Sequence, residues 1–375
     1  MKYKKYIILL LPVLLLSGCI VSFIPETDED KDILVVEGLI TDQPGPYTIK
    51  LSKSQPLGAK ESAKPVKGWQ VRVFDDMGGI YTFTEKTSGT YVSDPAKFRG
   101  IIGRSYTLSV RSTGTPQLTF ESLPVELKAI PPIDSIYYEK KILKEGFDGG
   151  LPDEGCEVYL DTHDPENNSR FYRWEFNETW EFRLPFDVPN SRCWLSYNSP
   201  AINVKSTKAF AEDRISRYPI NFISNTSDRL KQKYSMLISQ YSLSEDEFNY
   251  WDKLQNVTEQ VGGLYDITPA TIPSNIWCNE DPGEIVLGYF SVSAVTTKRI
   301  FIKDVFYGQI NLYNDCISDT ISGSGPIPNL GISVWVVQTI NDEMPPRRIL
   351  TDKIGCADCT VRGSNVKPAY WEDDK

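Results

Sequence analysis

The sequence predicts a mainly β protein: an N-terminal immunoglobulin-like β-sandwich followed by a larger β-rich domain with a two-helix insert. Three observations predict it. Short stretches of alternating apolar and polar residues recur between clusters of turn-forming residues. Hydrophobic residues make up 40% and aromatic residues 12% of the 375, enough to fill a sizeable core. One long segment, about 227–262, replaces the two-residue period with spacings of three and four.

Taken in order, the chain opens with Lys2, Lys4 and Lys5, then an apolar run from Tyr6 to Leu16 that ends in Leu15-Leu16-Ser17-Gly18-Cys19. A basic start, a short apolar stretch and small residues before a cut site make residues 1–18 a secretory signal peptide. A Cys directly after Ser-Gly makes the site a lipobox, so the mature chain is expected to start at a lipidated Cys19. The run contains Pro12 and is shorter than the ~20 apolar residues a transmembrane helix needs. Several acyl chains, at about 0.8 kcal/mol per buried methylene, would hold such a chain stably on a membrane. Residues 19–32 form an acidic tether. Its Glu26-Thr27-Asp28-Glu29-Asp30-Lys31-Asp32 reads either as a solvated linker or as a tag for export to the cell surface.

Residues 33–127 read as the β-sandwich. Ile33-Leu34-Val35-Val36-Glu37-Gly38-Leu39-Ile40 is β-rich and stops at the turn cluster Asp42-Gln43-Pro44-Gly45-Pro46. Tyr47, Ile49 and Leu51 alternate with polar residues, as do Trp69, Val71 and Val73, then Tyr81 and Phe83, then Tyr106, Leu108 and Val110. Pro124, Pro131 and Pro132 mark a stiff boundary.

Residues 128–375 read as a disulfide-stapled β-rich domain. Tyr172, Trp174, Phe176, Trp180 and Phe182 share one parity, and Arg173, Glu175, Asn177, Thr179, Glu181 and Arg183 hold the other, a strand signature. The aromatic row is either a core face or a stacking platform for a ligand, with Trp174 and Trp180 as its candidate binding residues. Leu230, Tyr234, Leu237, Ile238 and Tyr241 fall at helical spacing. Ser244-Glu245-Asp246-Glu247 is a capping box that opens a second helix carrying Phe248, Tyr250, Trp251, Leu254, Val257 and Val261, ended by Gly262-Gly263. Strands are expected again over 285–295, 299–306 and 332–340.

Besides Cys19 the chain has Cys156, Cys193, Cys278, Cys316, Cys356 and Cys359. An even number in an exported chain suggests up to three disulfides among 15 possible pairings. Export argues against thioredoxin-like chemistry or a zinc site at Cys356-Ala357-Asp358-Cys359. The formal net charge is −10, and loss of the signal makes it more negative, which opposes binding to nucleic acid or to an anionic membrane surface.

Catalytic groups are sparse. The one histidine, His163, lies in the turn-like Asp161-Thr162-His163-Asp164-Pro165-Glu166, and there is no nucleophile elbow, zinc-protease or P-loop motif. Asp161, Asp164 and Glu166 supply oxygens but lack the spacing of a calcium loop, so no metal or other cofactor is expected. Acidic pairs for glycoside hydrolysis remain an alternative that spacing alone does not decide.

Several segments together resemble one family. They are the lipobox; Leu34-Val35-Val36-Glu37-Gly38-Leu39-Ile40-Thr41-Asp42; and Gly263-Leu264-Tyr265-Asp266-Ile267-Thr268-Pro269-Ala270-Thr271-Ile272-Pro273-Ser274-Asn275-Ile276. Val286-Leu287-Gly288-Tyr289-Phe290-Ser291-Val292-Ser293 and the Cys-Ala-Asp-Cys tail with Gly363-Ser364-Asn365-Val366-Lys367-Pro368-Ala369-Tyr370-Trp371 complete the set. In order and spacing they are similar to the Bacteroidota lipoproteins grouped as domain of unknown function 4249. The resemblance implies a non-enzymatic, lipid-anchored accessory protein of the outer membrane. Its implied partner is a TonB-dependent β-barrel transporter, encoded nearby, which it would help to capture or gate a ligand. The alternative is a surface glycan- or peptide-binding protein that acts without a transporter.

Overall fold

The computed structural model describes residues 33–54, 63–144, 150–259, 272, 274–308, 312–327 and 333–372. Cys19, the signal segment, the acidic tether and the Gly262-Gly263 helix end lie outside them. The chain is mainly β, as its alternation predicts.

The first module contains β1 (Leu34–Thr41), β2 (Thr48–Lys53), β3 (Lys64–Pro65), β4 (Gln70–Asp75), β5 (Ile80–Thr87), β6 (Thr90–Val92), β7 (Ser105–Arg111), β8 (Thr119–Ser122) and β9 (Val125–Glu126). The second begins with β10 (Ile133–Lys144), β11 (Asp153–Asp164), β12 (Phe171–Arg183), β13 (Arg192–Asn198), β14 (Asn203–Ser206), β15 (Asp213–Ile223) and β16 (Tyr234–Ser242). Helix α1 (Glu245–Glu259) follows, then β17 (Ile276–Cys278), β18 (Val286–Ser293), β19 (Val295–Ile302), β20 (Asp319–Ser322), β21 (Trp335–Ile340), β22 (Arg347–Thr351) and α2 (Ile354–Ala357).

The first sheet runs β17-β8-β7-β4-β5-β6-β2-β1-β18, so two of its strands come from far down the chain. β18 lies parallel to β1, with Leu34 opposite Val286 and Thr41 opposite Ser293. A parallel pair needs a long crossover, and here the whole second module supplies it. Gly288 makes the pairing possible: its φ is +89°, and a Cβ there would sit 2.1 Å from the Val36 carbonyl oxygen. The two ends of the sheet meet through one side chain. Asn275 Nδ2 donates to the Phe290 carbonyl at 2.9 Å, and its Oδ1 accepts from the Phe290 amide at 3.0 Å. The enclosed core includes Val36, Ile49, Leu51, Val71, Val73, Tyr106, Leu108, Phe120 and Phe290.

In the second module, sheet β10-β11-β15 and sheet β13-β12-β16-β19 cover a core of Val158, Leu160, Tyr172, Trp174, Phe176, Trp180, Phe182, Tyr234, Met236 and Ile238. The proline boundary is pinned by this module: Gln240 Nε2 and Thr296 Oγ1 both donate to the Pro131 carbonyl. The segment at 230–241, expected as a helix, is β16 instead. Tyr234, Met236 and Ile238 also fall at a period of two. The strand lies between β12 and β19, with most residues on both faces buried, so helical and strand spacing coincide in its apolar positions. The second expected helix forms as α1, with Ser244 Oγ accepting from the Glu247 amide at 3.1 Å.

The disulfides are Cys193–Cys359 and Cys316–Cys356, so the C-x-x-C pair does not close on itself. Cys156 and Cys278, expected as disulfide candidates, are buried free thiols. They belong to different cores, Cys278 in the first module and Cys156 in the second, which rules out a bridge between them. The disulfides hold the tail across the outer face of the β12 sheet. Trp194 and Ser364 exchange backbone hydrogen bonds of 2.8 and 2.9 Å. The Trp371 ring meets Trp194 and Phe301 edge-on, and the Arg299 guanidinium lies 3.6 Å from the Tyr370 ring centroid.

Candidate functional site

Both faces of β12 are covered, and this determines where a site can form. The even parity faces the core. Trp174 is 0% exposed and donates from Nε1 to Gln240; Trp180 is 2% exposed and donates to Asp228. Neither ring presents a face to solvent, so the stacking-platform reading of Trp174 and Trp180 is overturned. Their large apolar area and their indole N–H partners both favour burial. The odd parity is polar yet also largely buried. Thr179 lies beneath the tail, its Oγ1 2.8 Å from the Tyr370 hydroxyl, and Arg173 lies beneath α1.

Arg173 stands at the wall of a cleft of about 410 Å³ between the two modules. The first module contributes its outer face there: Lys50, Glu37 and Tyr289 are adjacent across β2, β1 and β18. The second contributes Arg173 and Glu175, and α1 contributes Tyr250, Trp251 and Leu254. Helix α1 is seated there because Phe248 and Trp251 pack with Leu39, Phe171, Tyr241, Leu243 and Val295, drawn from both modules.

The Arg173 guanidinium lies 4.3 Å from the Trp251 ring centroid and 4.9 Å from that of Tyr241. Its Nη1 pairs with Glu175 Oε1 at 2.9 Å, while its buried Nε has no hydrogen-bond partner. Tyr241 donates to Glu175 Oε2, and burial, with the Glu175 charge next in order, pushes its phenol up to about 12. Tyr250 and Tyr289 pack ring to ring at 4.8 Å. Burial, followed by the nearby Glu247 carboxyl, raises the Tyr289 phenol.

Behind this wall Glu247 is fully buried. Its Oε1 accepts from Trp251 Nε1 at 3.3 Å, the Ser291 hydroxyl lies near the carboxyl, and Oε2 makes no hydrogen bond of normal geometry. Burial raises its pKa, opposed by the Arg173 charge.

The remaining residues singled out by sequence have structural partners. His163 Nδ1 lies 2.7 Å from Asp134. Asp164 accepts from the amides of Glu166, Asn168 and Ser169, and Asp161 accepts from Ser135 and the Arg217 amide. Among the described residues, no group of three His, Cys, Asp or Glu side chains is placed to hold a metal ion. A second groove of about 450 Å³, between β15 and the 197–201 loop, has a satisfied floor: Glu178 takes both Arg229 Nε and Nη2 and the Tyr234 hydroxyl.

Sequence reading missed Arg173 as a cleft residue and Glu247 as the buried carboxyl behind the cleft wall. Each was legible only as one polar position in a strand and as the end of a capping box.

The chain belongs to a family described as a domain of unknown function, DUF4249, whose model matches residues 21–299. No curated protein matches the chain. The matched span holds both walls of the cleft and stops before the disulfide-tied tail.

Proposed function

We propose that the chain is a lipid-anchored, non-enzymatic accessory protein of the outer membrane that partners a TonB-dependent transporter in ligand capture or gating. The observation that carries this reading is Cys19 behind Leu15-Leu16-Ser17-Gly18, after a basic start and a short apolar run. The resemblance to Bacteroidota lipoproteins supports the partner, and the open cleft between the modules supports ligand capture. Among the described residues no helix is long and apolar enough to cross a membrane.

Two measurements test the reading. Tagged full-length chain extracted in mild detergent should co-purify a β-barrel; recovery of the chain alone in repeated preparations would remove the transporter reading. Cys19→Ser should leave a folded protein in the soluble fraction. The second reading, surface binding of a glycan or peptide without a transporter, draws on the cleft alone and predicts binding by the purified chain.

A further inference from the structure

We infer that the groove between β15 and residues 197–201, a site apart from the cleft between the modules, takes a short neutral saccharide that stacks on Tyr197 and Phe222 and is held by Asn221. The inference goes beyond the ligand-capture reading above, which draws on the cleft. The walls of the groove come from β12 and β13 of one sheet and β15 of the other, and its volume of about 450 Å³ falls in the range of small-molecule sites.

Two exposed rings stand on opposite walls. Tyr197 is 53% exposed and lies parallel to the buried Trp180 ring, with centroids 5.7 Å apart. Phe222 is 43% exposed and lies against the β11 backbone at Gly155, where an added Cβ would sit 2.6 Å from Phe222 Cζ. Each ring is backed by protein on one side and open on the other. Such a ring offers a rigid apolar face to the C–H face of a sugar.

The charges of the groove cancel within the protein. Among the described residues, Glu178 and Arg229 are the only charged ones lining it, and Glu178 accepts from Arg229 Nε and Nη2 at 3.0 and 2.9 Å. A carboxylate or an ammonium ligand would have to break that pair to find a counter-charge.

The other polar groups of the lining are uncharged and partly exposed. Ser199, Ser224 and Ser227 each accept from the backbone amide two residues on, at 3.0, 3.3 and 3.4 Å. That bond fixes the hydroxyl oxygen and leaves its hydrogen to donate. Asn221 is half-buried in the wall, and among the described residues its carboxamide has no protein partner. A ligand that accepts from serine hydroxyls and both accepts from and donates to a carboxamide carries hydroxyls of its own. An extended peptide would instead need the outer edge of β15. Pro219 there has no N–H to give, and the β11–β15 register shifts on either side of it.

The test uses the purified full chain, without a transporter, in a detergent that has no sugar headgroup. It is titrated with neutral oligosaccharides and, beside them, uronic-acid oligosaccharides, neutral nucleosides and a peptide library. Binding to at least one neutral oligosaccharide is expected, with weaker binding to the other three sets. Tyr197→Ala removes one stacking face and should weaken binding about tenfold. Asn221→Ala should weaken it about fivefold, within the range of one hydrogen bond, and keeps the test decisive if Tyr197→Ala fails to fold.

Absence of neutral-saccharide binding by folded protein would overturn the assignment. So would preference for the acidic, nucleoside or peptide set, or full binding by the folded variants. Binding that is lost in Lys50→Ala but kept in both groove variants would put the saccharide in the cleft between the modules and overturn it as well. Co-purification of a barrel is a separate result: its failure removes the transporter reading and leaves this assignment standing.

Discussion

Two buried carboxyls do opposite work. Glu247 keeps the Trp251 indole N–H on one oxygen and no partner of normal geometry on the other, and burial raises its pKa. A raised carboxyl pKa means the fold prefers the protonated form. Stability is therefore gained as pH falls toward the ordinary carboxylate range and lost as pH rises through the raised value. Glu247→Gln removes the titration, so it should raise the unfolding midpoint at pH 8 and leave it nearly unchanged near pH 4, read by thermal melts at both. Asp228, in contrast, is 1% exposed and saturated by Trp180 Nε1 and by two nitrogens of Arg362. Asp228→Ala strands that guanidinium and the indole N–H. Chemical denaturation should show a loss of about 3 kcal/mol, at the low end for a broken buried pair because Arg362 keeps partial contact with water. Residue parity made the Trp174 and Trp180 face legible in the sequence. The role of Arg173 was not, because its surroundings come from Tyr241 on the neighbouring strand and Trp251 on a helix.

At the scale of elements, most strands could be read from alternation with the turn residues between them. The failure at β16 is informative: a strand flanked on both sides and buried on both faces loses its polar parity, and Tyr234, Ile238 and Tyr241 then imitate a helix. α1 was readable because Ser244 begins it and its apolar stripe packs one way. Closure of the first sheet was not readable, since Asn275 serves as a substitute for backbone. Asn275→Ala should leave a buried Phe290 N–H and C=O unmatched and cost about 2–4 kcal/mol in denaturant titration, without changing the far-ultraviolet spectrum of the fold. The disulfides act over longer spans. Cys193–Cys359 closes a sequence separation of 166 residues. Reduction should lower stability by about 2–5 kcal/mol, measured as the shift between oxidised and reduced unfolding curves. Thiol titration checks both the pairing and the anchor. The native protein should show no reactive thiol, and the unfolded oxidised protein two, from Cys156 and Cys278; a third would mean that Cys19 carries no lipid.

At the scale of the molecule, the two modules are not arranged as successive segments. The first sheet takes β17 and β18 from beyond α1, and β18 runs directly into β19 of the second sheet. Residues 33–127 alone keep β2 on one edge of β1 but lack β18, which fills the other edge. That fragment should give collapsed amide dispersion in solution NMR, whereas a chain through the tail should give a resolved spectrum. The cleft shares this origin: its walls are brought together by the same crossover, and a reader of the sequence meets them as separate segments from Glu37 to Ser291.

The parallel pairing of β1 with β18 also sets a timetable. A chain delivered through a pore N-terminus first presents β1 early, and its partner emerges only after nearly the whole second module. Until then β1 has an unfilled edge of β-rich sequence, the kind of surface that recruits foreign strands. Closure of the first sheet must therefore wait for the last part of the chain, and any factor that holds the unfinished chain would find β1 as its first handhold.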